Sequence, residues 1–178
     1  MTRNLLAGLP VTAADIEAAR ARIDPHVVHT PCPRAPAFDD LTPGPLYFKL
    51  ENLQRTGSFK DRGSLNRMLQ LEPEERRRGV VTASAGNHAQ AVAYHAQRLG
   101  IPCTVVMPET APLVKVTNTE GFGATVRQLG EVLDDSAVEA NRLVDEEGMV
   151  MIHPFDDPAV IAGQGSMGAE IMEQVPDV

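Results

Sequence analysis

The 178-residue sequence has no tryptophan, only two cysteines and no apolar run of membrane-spanning length. Its longest early apolar stretch, Leu5 to Leu9, is too short for a signal-peptide core or a membrane span. Cys32 and Cys103 form no paired motif, and Cys103 sits in the apolar run Cys103-Thr104-Val105-Val106-Met107. Both therefore read as reduced packing residues of a cytoplasmic protein rather than a disulfide. No basic patch is interleaved with aromatics, and the net charge is −8, which argues against nucleic acid as a partner. His88 and His95 share a face of one predicted helix, but no third ligand is spaced to join them and no His-Glu-x-x-His occurs, so no metal site is expected. A packing or turn role is expected for His95 and a loop role for His88. Internal repeats and low-complexity linkers are also absent. What is present is ordinary for a soluble globular chain, with 43% apolar and 22% charged residues. The length allows one good core, or a small domain plus part of another.

The most informative stretch is Glu51-Asn52-Leu53-Gln54-Arg55-Thr56-Gly57-Ser58-Phe59-Lys60-Asp61-Arg62-Gly63. Before it, residues 46–51 alternate and favour a strand. After it, Leu65, Met68, Leu69 and Leu71 recur at roughly helical spacing. Gly57 and Ser58 break the chain between the two, with Ser58 as the expected N-cap and Lys60 in the first helical turn. The helix macrodipole disfavours a cation there, so the amine is easier to hold neutral and nucleophilic. The same residues also allow a plain surface lysine paired with Asp61 or Glu51.

A second motif follows. Val80-Val81-Thr82-Ala83 is short, apolar and β-branched, as in a buried strand. Ser84-Ala85-Gly86-Asn87-His88 comes next, then a helix with Ala91, Val92, His95, Ala96 and Leu99 along one face. A strand, a small-residue turn and a helix N-terminus bring unpaired backbone N–H groups together, which suits an anion. Gly86 lets a ligand approach the backbone closely. The competing reading is an ordinary turn capped by Asn87 or Ser84.

Elsewhere, Thr12 and Asp15 form a capping-box pattern opening a helix through Ile23, and Pro31, Pro33 and Pro36 keep the next segment extended or irregular. From residue 80 the pattern alternates: strands at 80–83, 103–107, 124–128 and 149–152, helices at 87–99, 112–120, 134–147 and 157–174. Such alternation predicts an α/β fold, a parallel sheet with helices on both faces and its ligand edge at the βα turns.

Both motifs resemble signatures of the serine/threonine ammonia-lyases (dehydratases), which use pyridoxal 5'-phosphate on the tryptophan-synthase-β-like fold, fold type II. Val106-Met107-Pro108, Lys115-Val116, Gly121-Phe122-Gly123-Ala124, His153-Pro154-Phe155-Asp156-Asp157 and Ile161-Ala162-Gly163-Gln164-Gly165-Ser166 extend the resemblance over nearly the whole chain. Within the family, Asp61 after the lysine resembles the degradative threonine ammonia-lyases of bacteria. The resemblance implies that Lys60 holds the cofactor covalently and is catalytic, that Phe59 lies beside its ring and that Asn87 bonds its ring hydroxyl. The turn of Ser84, Ala85, Gly86, Asn87 and His88 would bind the substrate carboxylate. The implied reaction converts L-threonine, or L-serine, to 2-oxobutanoate or pyruvate and ammonia in a homo-oligomer. A racemase of the serine type and a non-catalytic binding module are the alternatives. The implied division is residues 1–78 in a large cofactor domain, 79–156 in a small α/β domain, and 157–178 returning to the large one. The family's glycine-rich phosphate cradle would follow Val178, since Gly163-Gln164-Gly165 matches a different position. The chain by itself is therefore expected to retain cofactor weakly and to be a poor enzyme.

Overall fold

The computed structural model describes residues 11–177; the run Leu5–Leu9 lies outside the described residues. Helix α1 (Ala13–Ile23) opens as its capping box requires: the Thr12 hydroxyl accepts from the Asp15 N–H and the Asp15 carboxylate accepts from the Thr12 N–H at 2.8 Å. Its Ala19 and Ile23 are buried.

The strand expected at 46–51 is not a regular strand. This segment runs antiparallel to residues 31–35, with Ala35 N donating to Leu46 O (2.8 Å), Phe48 N to Pro33 O (3.1 Å) and Leu50 N to Pro31 O (3.0 Å). Only Arg34 and Tyr47 form a bridge. Pro31 and Pro33 accept but have no N–H to return, so no continuous ladder can form. Glu51–Leu53 then tightens into a short 3₁₀ turn.

From there the order is α2 (Lys60–Leu69), α3 (Pro73–Arg78), β1 (Val80–Ala83), α4 (Asn87–Leu99), β2 (Cys103–Met107), α5 (Leu113–Gly121), β3 (Thr125–Gln128), α6 (Leu133–Glu147), β4 (Val150–Met151) and α7 (Pro158–Gln174). The four strands form one parallel sheet in the order β3-β2-β1-β4, with Val80 opposite both Cys103 and Val150. Both central strands are buried along their full length, as a parallel sheet covered on two faces demands.

Side chains alternate across that sheet. Val80, Val105 and Met107 join Ala89, Val92 and Ala96 of α4 and Val116 of α5, with Met68 of α2 and Val160 of α7 in the same cluster. On the opposite face Val81, Ala83 and Val106 meet Ala140 and Leu143 of α6. Helices thus cover both faces. Each fully buried aliphatic side chain here contributes about 1.5–3 kcal/mol relative to exposure.

Two features fix α2, and hence Lys60, against α7. Gly63 and Gly163 let the backbones touch: a Cβ on Gly163 would stand 2.7 Å from the Gly63 Cα and 2.8 Å from the Arg62 carbonyl oxygen. Beside them Arg62, with no exposed surface, donates to Glu51 (2.8 Å) and to Glu170 of α7 (2.6 Å). Lys49 also reaches Glu170, and Thr30 donates to Glu51 at 2.6 Å. Burial pushes both carboxyls up, but the bonds from Arg62 and its neighbours outweigh it and leave them below their ordinary range.

Candidate active site

Lys60 is the first residue of α2. Gly57, at φ +76°, turns the chain into it. Ser58 is not the cap that the spacing predicts. Phe59 occupies the cap position without a side-chain bond, and the Ser58 hydroxyl accepts from the Lys60 N–H at 3.3 Å, one residue out of register. The Lys60 ammonium donates to the Pro154 carbonyl at 2.6 Å and lies 5.2 Å from the centre of the Phe59 ring. Burial holds its pKa below the ordinary lysine range. The surface-pair reading fails because its partners are taken: Asp61 by Thr56, and Glu51 by Arg62 and Thr30.

The Ser84–His88 turn leaves the end of β1. Ser84 N donates to Val106 O at 3.0 Å, and the Ser84 hydroxyl accepts from Gly86 N at 3.3 Å. Gly86 is the residue before α4, again with no side-chain cap, so neither Ser84 nor Asn87 caps the helix. A Cβ on Gly86 would meet nothing within 4 Å, so this side of the backbone is open to a ligand. Ala85 is half-buried, and Asn87 is exposed with its carbonyl oxygen accepting from Lys115 at 3.4 Å.

His88 departs from its expected loop role. It lies inside α4, 2% exposed, with Nε2 2.9 Å from the Ile152 carbonyl, so Nε2 carries the proton and donates. Its Nδ1 has no partner within the described residues. Burial lowers its pKa to about 4, with Lys60 and His153 adding to the effect and the Ile152 bond opposing it. His95, on the same helix, is buried and packs edge-on to Tyr94. Among the described residues, no three His, Cys, Asp or Glu side chains converge as a metal group.

The two motifs meet through a third segment. β4 pairs with β1, Met151 opposite Val81, so Ile152–Pro154 leave the sheet beside the turn that follows β1. Lys60 is tied to Pro154 and His88 to Ile152. Both motifs therefore lie at the C-terminal edge of the sheet, where open α/β folds bind ligands. Next to them a cavity of about 290 Å³ is lined by Ala83, Met151, His153, Pro154, Phe155 and the first turns of α6. The carbonyls of Ile152 and Pro154 had no sequence signal, because backbone acceptors are chosen by where the chain passes. Gly163 and Gly165 lie within α7, at or near its crossings with α2 and α1, and form no loop.

Residues 23–178 match the family described as pyridoxal-phosphate dependent enzymes. The L-threonine ammonia-lyase of Thermotoga maritima is 49% identical over 168 residues, covering 94% of this chain and 42% of that protein. Of solved structures, the serine racemase of Dictyostelium discoideum superposes with a TM-score of 0.88 at 42% identity, over 96% of this chain and 55% of that one. The processed threonine deaminase isoform 2 of Solanum lycopersicum gives 0.85 at 37% identity, over 94% and 47%. The chain spans about half the length of the curated relatives it matches.

Proposed function

The chain belongs to the family of pyridoxal-phosphate dependent enzymes and has the parallel-sheet architecture of fold type II, and from that premise we propose that it is the Lys60-bearing part of an ammonia-lyase acting on L-threonine or L-serine. One observation carries the reading: a partly desolvated lysine amine and an anion-ready helix N-terminus are fastened, two residues apart, to the same segment at the sheet's ligand edge. Each names one end of a bound amino acid.

The residues present fit the ring and aldehyde end of the cofactor. Lys60 offers the amine, the 37% exposed Phe59 ring stands beside it, and open space faces Gly86. Lys60 would hold pyridoxal phosphate, with Phe59 against the ring and Asn87 on the ring hydroxyl. When bound, the cofactor supplies an electron sink for the charge left as a bond to the substrate α-carbon breaks.

The chain's own groups do the rest. The turn of Ser84, Ala85, Gly86, Asn87 and His88 binds the substrate carboxylate through the N–H groups of Ala85, Asn87 and His88 and the Ser84 hydroxyl. The Ser84 and Gly86 N–H groups are already bonded, to Val106 O and to that hydroxyl. The anchor turns the Cα–H bond toward Lys60. Lys60 Nζ, held below its ordinary pKa by burial, takes the α-proton. Loss of the β-hydroxyl and hydrolysis then give ammonia and 2-oxobutanoate from threonine, or pyruvate from serine. Neutral His88 adds no second positive charge beside the amine.

The likeness to a serine racemase favours one second reading, in which the same Lys60 proton transfer is followed by return of a proton to the opposite face. The division into residues 1–78, 79–156 and 157–178, a homo-oligomeric state and a cytoplasmic location belong to the same proposal. The free thiols of Cys32 and Cys103 support the last of these.

Lys60→Ala is the test, made in the chain and in its full-length context. Loss of borohydride-reducible cofactor and of threonine-dependent 2-oxobutanoate is the expected result, and a variant that retains both overturns the assignment. Racemised serine without keto acid would select the second reading.

A further inference from the structure

Asp61 follows Lys60 directly, yet its carboxylate is bonded to Thr56 rather than to the Ile152–Pro154 segment or the Ser84–His88 turn. It is 1% exposed, and its partners are in the loop that presents the lysine: Oδ2 accepts from the Thr56 N–H at 3.2 Å, Oδ1 from the Thr56 hydroxyl, and the Arg55 backbone also bonds to it. No arginine or lysine is paired with it among the described residues. The nearest basic side chain, the buried imidazole of His95, has Nε2 3.9 Å from Oδ1, too far for a hydrogen bond. His95 is held neutral, its pKa lowered to about 3 chiefly by burial, then by Arg98 and His26. A cavity of about 130 Å³ bounded by His26, Leu65, His95, Arg98 and Leu99 lies behind it. Burying a carboxylate without an ion pair is costly, and burial does raise this one's pKa, with Glu51 adding to the effect. Such a group persists where its hydrogen bonds fix something. Here they close the Arg55–Phe59 loop from its Thr56 end. The Gly57 N–H to Gln54 O bond, the Ser58 hydroxyl to Lys60 N–H contact and the bonds from Asp61 N to Ser58 O and from Arg62 N to Phe59 O hold the rest of it.

Building on the reading of Lys60 as the reacting amine, we propose that Asp61 is the positioning residue for it: acting through Thr56, its buried carboxylate sets the loop geometry that presents Phe59 and Lys60 to the ligand edge. Asp61 itself touches neither substrate nor cofactor. Asparagine at this position keeps one acceptor but turns an N–H₂ toward a donor, so the loop loses at least one bond.

The experiment uses the 178-residue chain without cofactor. Amide hydrogen exchange of residues 55–60 is compared in the wild type, Asp61→Asn and Thr56→Ala, and the pH dependence of Lys60 acetylation is followed by peptide mass spectrometry with Lys115 as reference. The expected result is roughly tenfold faster exchange confined to that loop in Asp61→Asn and a smaller rise in Thr56→Ala, since a hydrogen bond to a charged group is lost in each. The Lys60 midpoint should also move up toward the ordinary lysine value in both. Unchanged loop exchange and an unchanged midpoint overturn the proposal. So does faster exchange spread evenly through α4 and the sheet, because that signals a purely structural role. If Asp61→Asn does not fold, Thr56→Ala, at a half-buried position, decides alone. Borohydride trapping on the wild type with added pyridoxal phosphate tests the other premise separately: a mark on a different lysine sinks the reading of Lys60 and leaves the exchange result to judge Asp61.

Discussion

Arg62 has no exposed surface and joins two carboxylates that lie far apart in sequence, Glu51 and Glu170. Removing it leaves both buried without their main cation. Arg62→Met should therefore cost about 3–5 kcal/mol in urea unfolding, the usual penalty for breaking a buried pair. The exposed pair of Arg142 with Glu146 should matter little by comparison. The buried histidines predict the pH dependence. His88 and His95 fall from 6.5 to about 4 and about 3 on folding, so the unfolded chain binds their protons first. Their stabilising effect is complete above pH 6.5 and is lost as pH falls toward those lowered values. Glu51 and Glu170 add to the loss at lower pH, while Asp61, whose pKa is raised, opposes it. His95→Leu should flatten the slope of unfolding free energy between pH 6 and 4.5 by about 1.4 kcal/mol per pH unit, one proton's worth. An unchanged slope would mean that His95 is not buried neutral. None of these partnerships was legible in the sequence, where His88 reads as a loop residue and Arg62 stands in the lysine motif with no partner assigned.

Elements from residue 80 onward fall within a residue or two of the positions the sequence predicts, because each is marked locally by a β-branched run, a glycine or a helical period. The exception is residues 46–51, where alternation favours a strand but the facing prolines withhold the donors a ladder needs. At the α2–α7 crossing the glycines of one helix differ sharply. A methyl on Gly163 would press on backbone at 2.7 Å, whereas one on Gly168 meets nothing within 4 Å. Gly163→Ala should thus destabilise by about 1–3 kcal/mol through overpacking. Gly168→Ala should stabilise by about 0.5–1 kcal/mol, since alanine loses less backbone freedom in a helix. Thermal unfolding of the two variants side by side checks the sign of each. The Gly163 variant should also disturb Lys60, because the crossing sets the position of α2.

At the scale of the whole molecule, Leu113 and Val114 of α5 are 78% and 61% exposed, and Val132 and Leu133 before and at the start of α6 are 56% and 46%. The bond from the Thr110 hydroxyl to Glu131 O draws the two loops together, so these side chains belong to one end of the sheet. Apolar surface grouped in this way favours association. The 178-residue chain should show concentration-dependent self-association in sedimentation velocity, reduced by Leu113→Lys with no loss of helical circular dichroism. A monomer at all concentrations would remove this support for a homo-oligomer.

Taken by itself, the sequence determined the α/β class, the parallel alternation from residue 80, and the two motifs that hold Lys60 and the Ser84–His88 turn. These rest on periodicity and turn chemistry, which act over a few neighbouring residues and so are written locally. Only the tertiary structure decided that Lys60 and His88 share the Ile152–Pro154 segment and that Arg62 is matched by Glu51 and Glu170. Those contacts join residues up to more than a hundred positions apart, and they exist because β4 returns beside β1 and α7 crosses α2. Which charge meets which, and which carbonyl takes a proton, depends on that chain path rather than on any local pattern.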